Sequence, residues 1–196
     1  MKTLQRIYSD THSEVYIFNS NENRANINTT IIPDEQLNKI LKYRKDEDQA
    51  KRLLARTFLF EYCQKRYSLN DFSFEYTKNQ RPKFRYSDID FSISYSQNII
   101  AIALSTKCKI GVDIEFINPS IVTKKIAFEF MNKKELTTFL KINKNDRYKY
   151  FYEVWTAKES LLKARGNGLT LNPKDIVNNF GKLIYFEKYI INLTTL

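Results

Sequence analysis

The chain has 196 residues, 42% hydrophobic and 14% aromatic, which is material for one core or two small ones and contains no apolar run near the roughly 20 residues that cross a bilayer. Its formal net charge of +10 attracts anions without choosing among nucleic acid, phosphorylated metabolites, anionic lipid and acidic protein. One histidine and two cysteines exclude a zinc site of the usual ligands, a disulfide framework, and Ser-His-Asp or Cys-His catalysis, so any metal must be held by oxygen. His12 reads as a surface residue. The first residues lack the sustained apolar segment of a secretion signal, so the expected compartment is the cytoplasm.

In chain order, Glu14 to Phe18 alternates as a strand does, and the Asn-rich run from Asn19 to Thr30 reads as a loop. From Pro33 to Tyr67 the apolar spacing is helical, with Leu37, Ile40 and Leu41 on one stripe and Leu53, Leu54, Phe58 and Tyr62 on another. This predicts two helices broken near Arg44 to Asp48. Short alternating pieces then predict strands over Phe72 to Tyr76, Phe91 to Tyr95, Ile99 to Ser105 and Lys109 to Phe116. Helical spacing returns from Ile121 to Phe130, from Lys133 to Leu140 and most strongly from Asp146 to Arg165, and Lys182 to Asn192 reads as a strand. The order predicts an α+β protein of two similar lobes, an N-terminal one over residues 1–105 and a C-terminal one over 106–196 that carries the metal site.

Two segments concentrate chemistry. In KIGVDIEFI, residues 109–117, Val112, Ile114 and Phe116 alternate with Asp113 and Glu115, so a strand would present both acids on one face about 7 Å apart. In EVWTAKESLLKARGNGL, residues 153–169, Trp155, Glu159 and Lys163 recur every four positions, each turned about 40° from the last, and so share one stripe. Gly166 or Gly168 would end that helix in the left-handed conformation. Taken singly, the acids fit a polar strand face, Glu159 and Lys163 an exposed ion pair, and Trp155 core packing. If the helix crosses the strand, Asp113, Glu115 and Glu159 form an oxygen site suited to Mg²⁺, with Lys158 and Lys163 beside the anion it holds.

The two blocks together, in this order and at this spacing, resemble the signature of the 4′-phosphopantetheinyl transferases, of the larger pseudo-dimeric type that activates peptide and polyketide synthetases. FSISYS at 91–96 is similar to the family's Phe-Asn-Ile-Ser-His-Ser block and NQRPKF at 79–84 to its Gly-Lys-Pro block. The resemblance implies a two-lobed pseudo-dimer, here with a shortened second lobe, that moves the phosphopantetheine arm of coenzyme A to a serine of an apo acyl or peptidyl carrier protein and releases adenosine 3′,5′-bisphosphate. It implies that Asp113, Glu115 and Glu159 bind Mg²⁺, or Mn²⁺ in its place. Glu159 or Glu135 would accept the serine proton, and Lys163, aided by Lys158, would contact the diphosphate. Glu135 equally fits a capping box with Asn132. The 3′-phosphate of coenzyme A would be met by cations and donors among Lys39, Lys51, Arg52, Arg56, Arg81-Pro82, Ser94 and Tyr95, with Arg52, Arg56 and Arg81 foremost. Tyr95 stands where the family has histidine, and Gln80-Arg81 where it has Gly-Lys; both changes point to altered coenzyme A binding. By the same resemblance the protein is a monomer, without nucleic-acid or membrane partners.

Carrier proteins are acidic helical bundles, so the positive field would also steer this partner, toward Phe128, Phe130 and Met131 among the lysines of 124–140. Of these, Phe128 is expected to be the more deeply packed and Met131 the more available. Two other readings remain open on sequence alone: a degenerate transferase that binds coenzyme A or a carrier without catalysis, and a basic nucleic-acid-binding module rich in stacking tyrosines.

Overall fold

Several helix ends carry the local chemistry that favours them. The computed structural model describes residues 1–2, 4–166, 172–176 and 181–196, so Gly168 lies outside the described residues. Two strands, β1 (Gln5–Ser9) and β2 (Ser13–Asn19), precede α1 (Asp34–Leu41) and α2 (Asp46–Tyr67). Helix α2 carries Asp46, Glu47 and Asp48 in its first turn and Lys65 and Arg66 in its last, which places each charge against the opposite end of the helix dipole. The hairpin β3 (Phe74–Tyr76) and β4 (Pro82–Phe84) follows, then β5 (Asp90–Ser96), β6 (Ile99–Ser105) and β7 (Ile110–Phe116). Three helices come next: α3 (Lys124–Phe130), capped by Thr123, α4 (Lys133–Lys141), opened by an Asn132/Glu135 capping box, and α5 (Arg147–Arg165). The chain continues through β8 (Lys182–Phe186) and β9 (Tyr189–Thr195).

The strands form one sheet in the order β1-β2-β6-β5, a second in the order β7-β9-β8, and the separate β3-β4 pair. Side-chain alternation stacks them. Tyr16, Phe18, Ile100, Ile102 and Leu104 turn toward α2, where Leu54, Phe58 and Leu59 complete a core rich in aromatic rings. The opposite face of the same strands, with Val15, Ile17, Ala101 and Ala103, packs on Ile110, Val112 and Ile114 of β7 and on Ile191 and Leu193 of β9. Helix α5 covers the far side of the second sheet, where Phe151, Tyr152 and Val154 join Phe130, Phe139 and Ile190 in a further cluster. The result is a mixed α/β molecule layered helix, sheet, sheet, helix.

Three sequence expectations change. The single strand expected over Lys182 to Asn192 is a hairpin, turning at Glu187 with φ of 51°. Strands β1 and β4 were not expected; both are short, and β4 begins at a proline. The packing of α3 is reversed: Met131 is buried at 2% exposure and Phe128 is exposed at 49%. Ala127 and Phe130, three apart, take the inward face of that short helix, and Phe128 falls between them on the outward side.

Two observations fix how the layers meet. A Cβ on Gly111 would lie 1.9 Å from the Ser160 carbonyl oxygen and 2.5 Å from the Ala164 nitrogen, so only glycine lets α5 cross β7 this closely. Strands β5 and β7 are joined by side chains. The Ile110, Val112, Ile114 and Phe116 N–H groups donate to Asp90, Ser92, Ser94 and Ser96 at 2.7, 3.0, 3.3 and 2.8 Å. Alternate side chains of β5 thus replace strand carbonyls along the free edge of β7, which meets the requirement that buried N–H groups be paired.

Candidate active site

The seam between β5 and β7 runs directly into the acidic residues. Asp113 and Glu115 point from β7 toward α5, because their alternate neighbours fill the inter-sheet core. Asp113 is only 4% exposed; its Oδ1 accepts from the Lys163 ammonium at 2.7 Å and the Ser94 hydroxyl at 2.9 Å, while its Oδ2 is buried without a partner. Lys163 also donates to Ser94 at 2.8 Å. Glu115 accepts from Trp155 Nε1 and the Ser96 hydroxyl, each at 3.3 Å.

These carboxylates sit where charge is costly. Burial, with the nearby Asp113 charge, pushes the Glu115 carboxyl up to about 7. Burial and Asp113 raise Glu159 in the same direction, against the pull of Lys163. Asp113 therefore acts electrostatically on both glutamates, one from its own strand and one from α5. Among the described residues no three of the His, Cys, Asp and Glu side chains are gathered as a ready metal-ligand set, and Lys163 supplies the positive charge beside Asp113. The donor chemistry nonetheless suits a hard cation: an orphaned buried carboxylate oxygen and two glutamates whose charged forms are disfavoured would all be relieved by a divalent ion.

A cavity of about 570 Å³ reaches Glu159 and Lys163 of this group but not Asp113 or Glu115; it is lined by Glu159, Lys163 and Gly166 from α5 and its end, and across from them by Lys39, Tyr43, Arg52, Arg56, Tyr76 and Tyr95. The cations of that wall lie on rings: Arg52 stands 3.8 Å from the Tyr43 centroid and 5.2 Å from that of Tyr95, Lys39 4.2 Å from Tyr76, and Arg56 5.0 Å from Phe74. Arg56 keeps a buried Nε with no acceptor, and burial lowers its pKa, so an anionic oxygen there would satisfy both its hydrogen bond and its charge.

Other expected site residues are placed differently. Arg81 and Pro82 line the cavity, but the Arg81 guanidinium is engaged by Asp90 at 2.6 Å and by the Ile110, Ala164 and Phe91 carbonyls at 2.8, 3.1 and 3.2 Å. It ties the turn before β4 to β5, β7 and the end of α5. Lys158 is 2% exposed and pairs with Glu135 at 2.6 Å, donating also to the Phe130 and Pro173 carbonyls at 2.9 and 2.8 Å. The Glu135 capping box is formed as well. Neither residue lines the cavity, and neither does Lys51. Ser94 stands behind Lys163 rather than on the cavity wall. Sequence reasoning treated Trp155 as packing alone; its hydrogen bond to Glu115 was signalled only by the coincidence of a polar ring edge with the acid-bearing stripe. Gly166 ends α5 with φ of 69°.

Residues 109–186 match the model of the 4′-phosphopantetheinyl transferase superfamily. The chain is 28% identical over 145 residues to 4′-phosphopantetheinyl transferase Sfp of Bacillus subtilis (strain 168), an alignment covering 72% of this chain and 63% of that protein. It is 30% identical over 100 residues to 4′-phosphopantetheinyl transferase HetI of Nostoc sp., covering 49% of this chain and 42% of the relative. Over 139 residues it is 30% identical to the transferase gsp of Aneurinibacillus migulanus, covering 70% and 57%. The chain thus matches between 42% and 63% of the length of these relatives.

Proposed function

From a chain that carries a 4′-phosphopantetheinyl transferase superfamily domain in residues 109–186, we propose an enzyme that transfers 4′-phosphopantetheine from coenzyme A to a serine of an apo carrier protein and releases adenosine 3′,5′-bisphosphate. The observation that carries this reading is the position of Lys163. Its ammonium, bonded to Asp113 and Ser94, lies on the wall of a cavity whose opposite wall is Lys39, Arg52 and Arg56. A diphosphate beside Lys163 and a separate phosphate at Arg56 and Arg52 would use both walls. The raised Glu115 and Glu159 carboxyls support Asp113, Glu115 and Glu159 as the residues that would hold Mg²⁺ or Mn²⁺. Such an ion would neutralise charge on the diphosphate.

The residues divide the work as follows. The carrier serine oxygen forms a bond to the phosphorus that bears pantetheine, and the bond from that phosphorus to the bridging oxygen breaks. Lys163 offsets the charge that collects on the departing phosphate. Glu159 is the better placed acceptor of the serine proton, because it lines the cavity and Glu135 does not. Glu135, paired with Lys158 outside the cavity, holds α4 to α5 instead.

For the carrier, the surface of choice is the exposed apolar set Ile121, Ile126, Phe128 and Leu140, set among Lys124, Lys125, Lys133 and Lys134. It suits an acidic helical partner. The strand order β2-β6-β5 repeats as β7-β9-β8, each set interrupted after its first strand by helices; this supports two similar lobes divided near residue 105 and a monomer as the working form. No described helix is long and apolar enough to cross a membrane, and the cytoplasm is the proposed compartment. Incubation with coenzyme A, Mg²⁺ and a panel of apo carriers, read by intact mass, tests the proposal: one carrier should gain the phosphopantetheine mass. Binding of coenzyme A with no gain on any carrier would leave a binding protein instead.

A further inference from the structure

The two acids of β7 are prepared in different ways. Both donors to Asp113 converge on Oδ1 and leave Oδ2 without a partner. Glu115 is held at both oxygens, by the Trp155 indole N–H on Oε1 and the Ser96 hydroxyl on Oε2, each at 3.3 Å. Neither donor is free to turn. The Trp155 ring lies edge-on to Phe130, with centroids 5.1 Å apart, and parallel to Phe151 at 6.4 Å. Ser96 accepts the Phe116 N–H at 2.8 Å, an arrangement that spends its oxygen on the backbone and directs its proton to the carboxylate.

We propose that Trp155 and Ser96 are positioning residues that clamp Glu115 in the orientation a divalent cation requires, while Asp113 Oδ2 is the oxygen left open for that ion. The inference rests on the metal-binding reading given above. Bonds of 3.3 Å are at the long end of the range and add little stability, but two of them on opposite oxygens fix a rotamer. A carboxylate fixed in advance loses less freedom when it ligates, and outer donors of this kind are worth about 10–100-fold in metal affinity. The clamp gives the tryptophan four residues before Glu159 a role beyond packing, and Ser96 one beyond accepting the Phe116 N–H.

Mn²⁺ alone, titrated into the full chain and followed by loss of the free-ion electron paramagnetic resonance signal, reads the site without turnover. Trp155→Phe keeps the ring packing and deletes the donor; Ser96→Ala deletes the hydroxyl and Ser96→Thr restores it. Trp155→Phe and Ser96→Ala should each weaken Mn²⁺ binding by about three- to tenfold and together by about 10–100-fold. Ser96→Thr should bind as the unmodified chain does, and Trp155→Phe should melt within a few degrees of it. Unchanged Mn²⁺ affinity in Trp155→Phe, beside a loss in Glu115→Gln, would overturn the clamp and leave the metal site standing. No uptake of Mn²⁺ by the unmodified chain would overturn both.

Discussion

Lys158 and Lys163 stand five residues apart on α5, about 140° around the helix, and the two faces they mark are built to different ends. On one face the Lys158–Glu135 pair is 2% and 7% exposed at its side chains and has two carbonyls to complete the ammonium's bonds. On the other, Lys163 keeps 30% exposure against the 6% of Asp113; each pair leaves one buried carboxylate oxygen without a partner, Glu135 Oε1 on the first face and Asp113 Oδ2 on the second. The first is sealed, and the second reaches a cavity through its ammonium. A pair closed off from solvent organises packing; a pair whose ammonium reaches a cavity is placed to meet a ligand.

The strongest way to break the comparison is to remove one partner from each pair. Lys158→Met leaves Glu135 buried beside α5 and should cost about 3–5 kcal/mol in denaturant unfolding. Lys163→Ala leaves Asp113 with Ser94 and should cost about 1–2 kcal/mol, discounted for the exposed ammonium, with Mg²⁺ recovering part of the loss. Equal destabilisation, or recovery of Lys158→Met by Mg²⁺, would erase the distinction. Next in size, Gly111→Ala drives a methyl into the Ser160 carbonyl and should destabilise by about 3 kcal/mol, since backbone must move on both elements.

A smaller effect sharpens the contrast through pH. Folding raises the Glu115 carboxyl from its usual range to about 7, so the folded chain binds more protons than the unfolded one between about pH 4.5 and 7. Without metal, stability is therefore fullest below that window and declines as pH rises through it, by about 1–2 kcal/mol after allowance for partial exposure. A divalent ion stabilises the charged form, so Mg²⁺ should raise the thermal midpoint by a few degrees at pH 8 and hardly at all at pH 5. A Mg²⁺ shift of equal size at both pH values would contradict the placement of the ion at Glu115.

Much of this was legible because the decisive residues come from two short, strongly periodic stretches. Alternation in GVDIE assigned Asp113 and Glu115 to one face, and fourfold spacing put Glu159 and Lys163 on one stripe. The separation of Lys158 from that stripe also follows from helix phase, though family resemblance drew it toward the phosphates. What sequence could not convey depends on side chains reaching across the chain. Arg81 looks like a phosphate ligand until the carbonyls of Ile110 and Ala164 are seen to occupy its guanidinium. Ser94 reads as a phosphate contact from its place in FSISYS, since nothing local reveals that the edge of β7 needs acceptors. Short α3 gave too little helical phase to separate Phe128 from Met131, and the two-residue turn at Glu187 carries no glycine or proline to announce it.

The central claim is that the open face of α5 performs transfer and the sealed face does not. Its most direct test is the rate at which an apo carrier gains mass with coenzyme A and Mg²⁺, comparing the unmodified chain with Glu159→Gln at matched folded concentration. Full conversion by the former, with at least a hundredfold slower conversion by a Glu159→Gln protein that melts within a few degrees of it, is the expected result. Transfer by Glu159→Gln at the unmodified rate would contradict the account.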